Sequence, residues 1–287
     1  MLSADFPYYF CGLPFRPYQV GRKLKWLLGL GDIRPVLKGV YVDSRVPDSQ
    51  QLRADALRLL TPPEAVVCGA AAAWLHGIDT TALGPAELVE AQWTRTADDT
   101  VEVHGLRVLS PIASAVELAM RLPRPFALSA VDAFLRTGKA DLWALRAASA
   151  ECERHAGYRQ GQEVLRWADR RAASPGESWL RLRLIDAGFG KPDLQVRLTG
   201  PHRSYRLDLG YPDRPVDGRR LGLEYDSDAW HSSAKQRLRD ETRRTELDAL
   251  GWHIISARRP DLWGSYPALE LAVGGFLCQE PRLPRRW

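Results

Sequence analysis

The chain has 287 residues, of which 45% are hydrophobic, and this length exceeds that of a typical single domain. A net charge of +5 is a weak indication of a polyanionic partner. The four cysteines are scattered without a CxxC pair, which argues against a zinc site and favours a reducing, cytoplasmic location. The apolar runs are too short to span a bilayer, so we expect no membrane partner.

The first segment, residues 1–50, contains short helical candidates followed by a hairpin pattern. Residues 33–42 read Ile-Arg-Pro-Val-Leu-Lys-Gly-Val-Tyr-Val, with a basic turn at Lys38 and Gly39. Helices followed by a hairpin are the components of a winged helix-turn-helix, in which one helix enters the major groove and the wing touches the DNA backbone. We therefore predict that this segment binds DNA and that Lys38 contacts it. A short helical cap with a hairpin also has other uses.

Residues 51–150 alternate helical and strand patterns and are predicted to form an α+β linker domain. Helices are expected over residues 52–60, 70–76, 112–122 and 128–135, and a hairpin is expected over 101–109. No catalytic constellation is recognised here, because His76 and His104 have no partners at ligand spacing. Residues 151–172 are predicted to form a charged helical connector.

The C-terminal domain, residues 173–287, begins with a helix start signal. Ser174 and Glu177 stand in a capping-box arrangement, which gives Glu177 a structural role at the helix N-terminus. Two strands, a helix over about 233–250 and a strand over 252–257 follow. This order predicts a mixed α/β fold in which a sheet is flanked by helices.

The two strands of this domain combine apolar and acidic positions. They read Arg-Leu-Asp-Leu-Gly-Tyr over 206–211 and Leu-Gly-Leu-Glu-Tyr-Asp over 221–226. Because side chains alternate between the faces of a strand, Asp208 lies opposite the leucines, and Glu224 shares a face with Asp226. If the strands pair, three carboxylates converge and must be neutralised by protons or a cation. Hard oxygen ligands suit Mg²⁺ or Mn²⁺, which predicts Asp208 and Glu224 as metal ligands.

A metal at this position would activate water for hydrolysis of a phosphodiester bond. Asp226 would be a third ligand or would orient the water, and His231 would act as a general acid or base or bind phosphate. Glu177 could face the metal in addition to capping its helix, and the sequence leaves both roles open. The alternative for the acids is a solvated sheet face on which they pair with arginines.

Further candidates for DNA contact lie after the second acidic strand and before the last strand. Arg239, Arg243 and Arg244 could track phosphates, although the acids interleaved with them are also typical of an ordinary surface helix. Trp230 is a candidate wedge for a distorted base step and could equally be a core residue.

The pattern over roughly residues 170–270 resembles the DUF559-type endonuclease domain. That group is related to the very-short-patch-repair (Vsr) endonucleases of the PD-(D/E)XK superfamily. The residues that carry the resemblance are Glu177, Arg206-Leu-Asp208-Leu, Leu223-Glu224-Tyr225-Asp226, Trp230-His231, Arg239-Asp240, Arg243 and Leu250-Gly251-Trp252. The resemblance implies a restriction-endonuclease-like fold, with Asp208 as the metal-binding aspartate and Glu224 at the second acidic position. The superfamily lysine is missing, because Asp226 occupies its position.

Two stretches of the N-terminal portion resemble the winged-helix and linker region of AbiEi-like type IV antitoxins. They are Leu-Lys-Gly-Val-Tyr-Val over 37–42 and Ala-Ala-Ala-Trp-Leu-His-Gly over 71–77. This resemblance implies DNA binding rather than catalysis. The main hypothesis is therefore a Mg²⁺-dependent DNA endonuclease that acts in repair of mismatched or modified DNA or in defence against foreign DNA. The alternative is an antitoxin-like DNA-binding regulator with an inactive nuclease fold, and the oligomeric state is not predicted.

Overall fold

The computed structural model describes residues 12–86, 88–200, 203–227 and 234–287, and along 234–240 it describes only the backbone of a helix. The helices are α1 (Leu24–Leu30), α2 (Gln50–Arg58), α3 (Gly69–Leu75), α4 (Thr80–Leu83), α5 (Pro111–Arg121), α6 (Arg124–Arg136), α7 (Leu142–Ala150), α8 (Tyr158–Trp167), α9 (Pro175–Asp186), α10 (Ala234–Ala249), α11 (Arg259–Trp263) and α12 (Ala268–Leu277). The strands are β1 (Ile33–Leu37), β2 (Val40–Asp43), β3 (Val66–Val67), β4 (Trp93–Thr94), β5 (Thr100–Val103), β6 (Leu106–Leu109), β7 (Asp193–Thr199), β8 (Ser204–Val216), β9 (Arg219–Tyr225) and β10 (Trp252–Ala257).

These elements form two compact units, which are not divided as the sequence predicts. The first unit holds the described residues up to Leu122 together with Thr137–Gln162, and the second holds Pro123–Arg136 and Glu163–Trp287. Helix α6 therefore belongs to the second unit, although the sequence analysis places it in the 51–150 segment. Within the described ranges, no helix combines the length and apolar character needed to cross a bilayer.

The hairpin predicted over residues 33–42 is confirmed in the first unit. Strands β1 and β2 pair antiparallel, and Gly39 takes a φ of +83° at the turn, a conformation that glycine adopts without steric cost. Phe15 extends the hairpin, because its backbone exchanges hydrogen bonds with that of Tyr41 at 2.8 and 2.9 Å. Leu27 of α1 packs with Phe15 and Ile33 in a buried cluster, which holds the helix against the hairpin.

The remainder of the first unit is built around a four-stranded sheet in the order β4-β3-β6-β5. Strands β5 and β6 form the predicted hairpin, with its turn at His104 and Gly105. Helix α3 is apolar and almost wholly buried, and it ends beside the buried His76. A ring nitrogen of His76 lies 2.8 Å from the carbonyl oxygen of Leu109, which gives this buried histidine a structural role.

The second unit contains a mixed sheet in the order β10-β9-β8-β7, which confirms the mixed α/β class. Strand β8 pairs antiparallel with both β7 and β9, and β10 is parallel to β9. Helix α9 begins at the predicted start signal, and α10 has the extent expected from the sequence to within a few residues. Leu247 of α10 packs on Leu207 and Trp252, so α10 covers one face of the sheet.

A buried ion pair explains why α6 belongs to the second unit. Asp132 of α6 and Arg181 of α9 are both 0% exposed, and their charged groups approach to 2.6 Å. Asp132 also accepts hydrogen bonds from the hydroxyl of Ser178 at 2.6 Å and from the N–H of Asp169 at 2.7 Å. Because an unpaired buried charge is strongly unfavourable, these contacts tie α6 to α9.

Candidate functional site

Strands β8 and β9 bring two of the predicted acids together. Leu209 pairs with Leu223, so the same antiparallel register places Asp208 next to Glu224 at the end of the ladder. Asp208 Oδ2 accepts a hydrogen bond from the backbone N–H of Tyr225 at 2.9 Å. The carboxylate therefore takes the place of a backbone acceptor at the point where the two strands stop pairing through their main chains.

The strict alternation predicted along residues 206–211 is wrong at Asp208. Leu207 packs with Trp252 and Leu247 on the side of the sheet that α10 covers. A methyl group added to Gly210 would lie 3.1 Å from the Trp252 ring, so position 210 faces the same side. Two positions three residues apart share a face only if the regular alternation is interrupted between them. The pairing of β7 with β8 keeps one register across this point, so no residue is inserted, and the interruption is a local distortion of the backbone at or next to Asp208.

Asp208 is protonated more readily than an ordinary aspartate. Burial raises the pKa of its carboxyl to about 6, and the negative charges of Glu177 and Glu224 add to the increase. The hydrogen bond from Tyr225 and the charge of Arg206 act in the opposite direction. Glu177 and Glu224 therefore each lie within electrostatic reach of Asp208, as the sequence analysis expects for Glu224.

Glu224 is neutralised by an arginine. Arg243 of α10 donates from both terminal nitrogens to both carboxylate oxygens of Glu224, at 2.5 Å each. A third contact, from Arg243 to the carbonyl oxygen of Arg206 at 3.2 Å, fixes the guanidinium beside β8. The ion pair with Glu224 also raises the pKa of Arg243. In this arrangement a metal ion at Glu224 would have to compete with the positive charge of Arg243 for both carboxylate oxygens.

Glu177 performs the capping role predicted for it. The hydroxyl of Ser174 accepts the N–H of Glu177 at 3.2 Å, and Glu177 in turn accepts the N–H of Ala173 at 2.9 Å. Its Oε2 also accepts a hydrogen bond from Nε2 of Gln195 at 2.8 Å. Glu177 is only 6% exposed, and these donors account for both of its oxygens. The structural interpretation is sufficient to explain its position.

Gln195 is a participant that the sequence analysis does not identify. It lies in β7 with a φ of +54°, and its Oε1 is buried without a hydrogen-bond partner among the described residues. Such a conformation is strained for a residue other than glycine. Nothing in the pattern of residues 193–199 marks this backbone conformation, because glutamine is an ordinary residue at a strand position.

The other predicted site residues are placed as follows. Asp226 is half-buried, and its N–H donates to the carbonyl oxygen of Ala257 at 2.9 Å, which fixes the end of β9. Arg244 is exposed on α10 beside Arg243. The predictions for Trp230 and His231 lie outside the described residues, and so does the one for the side chain of Arg239.

The described acids do not form a ready metal site. No group of three or more His, Cys, Asp or Glu side chains in the described part of the chain is arranged to hold a metal ion. Both oxygens of Glu224 bind Arg243, and those of Glu177 bind the start of α9 and Gln195. Of Glu177, Asp208 and Glu224, only Asp208 keeps one carboxylate oxygen without a hydrogen-bond partner among the described residues. A two-carboxylate metal centre at Asp208 and Glu224 would therefore compete with Arg243 for Glu224.

The tip of hairpin β1–β2 is the second candidate site, and it lies in the first unit. The side chain of Lys38 is 67% exposed, and its Nζ forms an ion pair with Glu90, which is 61% exposed. The backbone N–H of Lys38 donates to the carbonyl oxygen of Val89 at 2.9 Å. The segment around residue 90 therefore supports the turn and reduces its positive charge.

Comparison with known proteins gives two results. Residues 87–165 match the family model described as the AbiEi antitoxin C-terminal domain. Two Mycobacterium tuberculosis proteins, named "uncharacterized protein" Rv2248 (strain H37Rv) and MT2308 (strain CDC 1551), are each 33% identical to the chain over 237 residues. The aligned part covers 78% of the chain and 85% of each relative. The chain belongs to the family of these mycobacterial proteins. No solved structure matches it.

The segment that matches the antitoxin domain, residues 87–165, has a defined position in the fold. It begins just before β4 and ends within α8, so it takes in strands β4 to β6 and helices α5 to α7. Hairpin β1–β2 precedes it in the chain. The acids at 208 and 224 follow it, and the match therefore bears on the antitoxin resemblance and not on the endonuclease resemblance.

Proposed function

We propose that the chain is a DNA-binding protein of the antitoxin type and that its first unit contacts DNA through α1 and hairpin β1–β2. The observation that carries this proposal is the similarity of residues 87–165 to the AbiEi antitoxin C-terminal domain. The hairpin that precedes this segment supports it, because a helix packed against a hairpin is the arrangement by which winged helices approach DNA.

The charge of the segment around α1 supports the same proposal. Residues 12–31 include four cations and no acid. Arg22, Lys25 and Trp26 are exposed, while Leu27 on the same helix points into the core. Exposed cations are attracted to the phosphate backbone, and this attraction supplies most of the non-specific affinity of a protein for DNA.

The experiment is an equilibrium titration of a fluorescein-labelled DNA duplex with the full chain, followed by fluorescence anisotropy over a series of salt concentrations. We expect binding that weakens steeply with salt. The R22Q/K25Q variant removes two proposed phosphate contacts and should reduce the slope of log K against log salt by about 1.8. The R95Q/R146Q variant is the matched control, since it removes two exposed charges elsewhere in the first unit. Equal slopes for the two variants would contradict the proposed interface.

A second candidate function is a metal-dependent DNA endonuclease in the second unit, with the restriction-endonuclease-like fold and the repair or defence role that the resemblance implies. The observation that favours it is Asp208, which lies beside two other acids and whose pKa is raised to about 6, mainly by burial and further by the charges of Glu177 and Glu224. Perturbed carboxyl groups of this kind are common at functional sites. The occupation of Glu224 by Arg243 is the observation against it.

The nuclease candidate is tested by incubating the chain and a D208N variant with Mg²⁺ or Mn²⁺ and a panel of intact, mismatched and uracil-containing duplexes. Metal-dependent cutting by the wild type but not by D208N would support the endonuclease. Absence of cutting on every duplex, together with salt-dependent binding, would leave the antitoxin-type DNA binder as the function.

A further inference from the structure

Two arginines face each other across strands β7 and β8 of the second unit. Arg197 and Arg206 are direct cross-strand partners in the antiparallel register, and both are exposed. Side chains in such a pair have Cβ atoms about 5 Å apart, and like charges directly opposite each other destabilise a sheet. The pairing therefore needs an explanation other than the stability of the free protein.

Both arginines point away from α10. Their strand neighbours pack into the cluster that lies under this helix: Val196, Leu198, Tyr205 and Leu207. Because adjacent side chains on a strand point to opposite faces, Arg197 and Arg206 lie together on the other face of the sheet. This face carries the two guanidinium groups into solvent.

Among the described residues, the two arginines are also not paired with acids. In the part of the chain that the structure describes, neither side chain donates a hydrogen bond or forms an ion pair, although Arg206 lies within electrostatic reach of Asp208. Nearby arginines behave differently, since Arg203 pairs with Glu246 and Arg243 with Glu224. A pair of unneutralised guanidinium groups is thus a local feature of this sheet edge.

We propose that Arg197 and Arg206 form a phosphate-binding site for the backbone of a nucleic acid. Planar guanidinium groups bind phosphate oxygens through two parallel hydrogen bonds, and a bound phosphate converts the repulsion between the two cations into a shared attraction. The choice of a nucleic acid as the ligand rests on the proposed function. The site itself lies in the second unit and is separate from the proposed interface in the first unit.

The first experiment is the salt titration with labelled duplex, now with R197Q/R206Q. Loss of two phosphate contacts should lower the slope of log K against log salt by about 1.8. The matched control is R259Q/R282Q, which removes two exposed arginines from α11 and from the segment after α12 of the same unit. The R197K/R206K variant keeps both charges and should retain most of the slope while it loses affinity, because lysine lacks the planar fork.

A second experiment separates this inference from the proposed function. Inorganic phosphate, compared with chloride at matched ionic strength, should raise the melting temperature of the wild type and of R259Q/R282Q more than that of R197Q/R206Q. An unchanged phosphate effect and an unchanged salt slope in R197Q/R206Q would overturn the inference, even if R22Q/K25Q abolishes DNA binding. Conversely, if R22Q/K25Q has no effect while R197Q/R206Q loses both responses, the inference stands and the proposed interface in the first unit fails.

Discussion

Arg243 holds both carboxylate oxygens of Glu224 with its two terminal nitrogens, at the place where the sequence predicts that Glu224 binds a metal ion. The guanidinium supplies the positive charge that converging carboxylates require, so the grouping of acids does not by itself demand a divalent ion. The Arg243–Glu224 pair is accordingly the contact that separates the two hypotheses for the second unit, a metal-dependent endonuclease and an inactive nuclease fold.

Replacing Arg243 should destabilise the protein, because Glu224 would remain largely buried without its bidentate partner. We expect R243Q to lower the free energy of unfolding by about 1–3 kcal/mol, measured by urea denaturation. The neighbouring Arg244 is exposed and provides the control, since R244Q should change stability by less than about 0.5 kcal/mol. Equal effects of the two substitutions would show that the pair contributes nothing to the fold.

Asp208 should make stability depend on pH. Its pKa in the folded chain is about 6, above the ordinary value of 3.8, so the folded state binds the extra proton. Its contribution to stability is therefore fully present below pH 3.8 and is lost as the pH rises through about 6. We expect D208N, which is neutral at every pH, to be more stable than the wild type by about 1–2 kcal/mol at pH 8, and the two to converge near pH 4.

The measurement for Asp208 is a set of urea denaturation curves for wild type and D208N between pH 4 and pH 8, with the side-chain carboxyl followed by carbon NMR. A titration midpoint near 3.8, or a stability difference that does not change with pH, would rule out the perturbed carboxyl. R244Q serves again as a variant whose difference from wild type should not vary over this range.

Glu177 should be important for stability through the start of α9. S174A removes one N-cap hydrogen bond and should cost about 1 kcal/mol. E177A should cost more, since it leaves the N–H of Ala173 and the amide of Gln195 without an acceptor. Thermal unfolding of the two variants, with S49A at the start of α2 as a control cap in the first unit, checks the order. If E177A proves as stable as the wild type, the capping interpretation fails.

The features that the sequence predicts well are those with local causes. The capping box at Ser174 and Glu177 involves residues three apart, and the turn at Gly39 needs only a residue that tolerates a positive φ. The interrupted alternation at Asp208 has no such signal, because the sequence of its strand still reads as a regular alternation. The assignment of α6 to the second unit depends on the contact between Asp132 and Arg181. These residues are far apart in the chain, so no local pattern reveals their contact.

Glu90 should weaken DNA binding by the first unit. It forms an ion pair with Lys38 at the hairpin tip, and both side chains are exposed, so the pair is worth at most about 1 kcal/mol to the fold. E90Q should release Lys38 and remove a negative charge that repels phosphate, which raises the affinity for duplex DNA. E64Q, at another exposed acid of the same unit, is the control in the anisotropy titration. An affinity gain equal to that of E64Q would mean that the tip does not approach DNA.

Hydrogen–deuterium exchange of the full chain, with and without a saturating DNA duplex, tests the central claim most directly. The account predicts slower amide exchange in peptides that cover α1 and hairpin β1–β2 when DNA is present, at a salt concentration where anisotropy shows binding. Unchanged exchange over residues 24–43, with DNA bound, would contradict the claim that this helix and hairpin form the DNA interface.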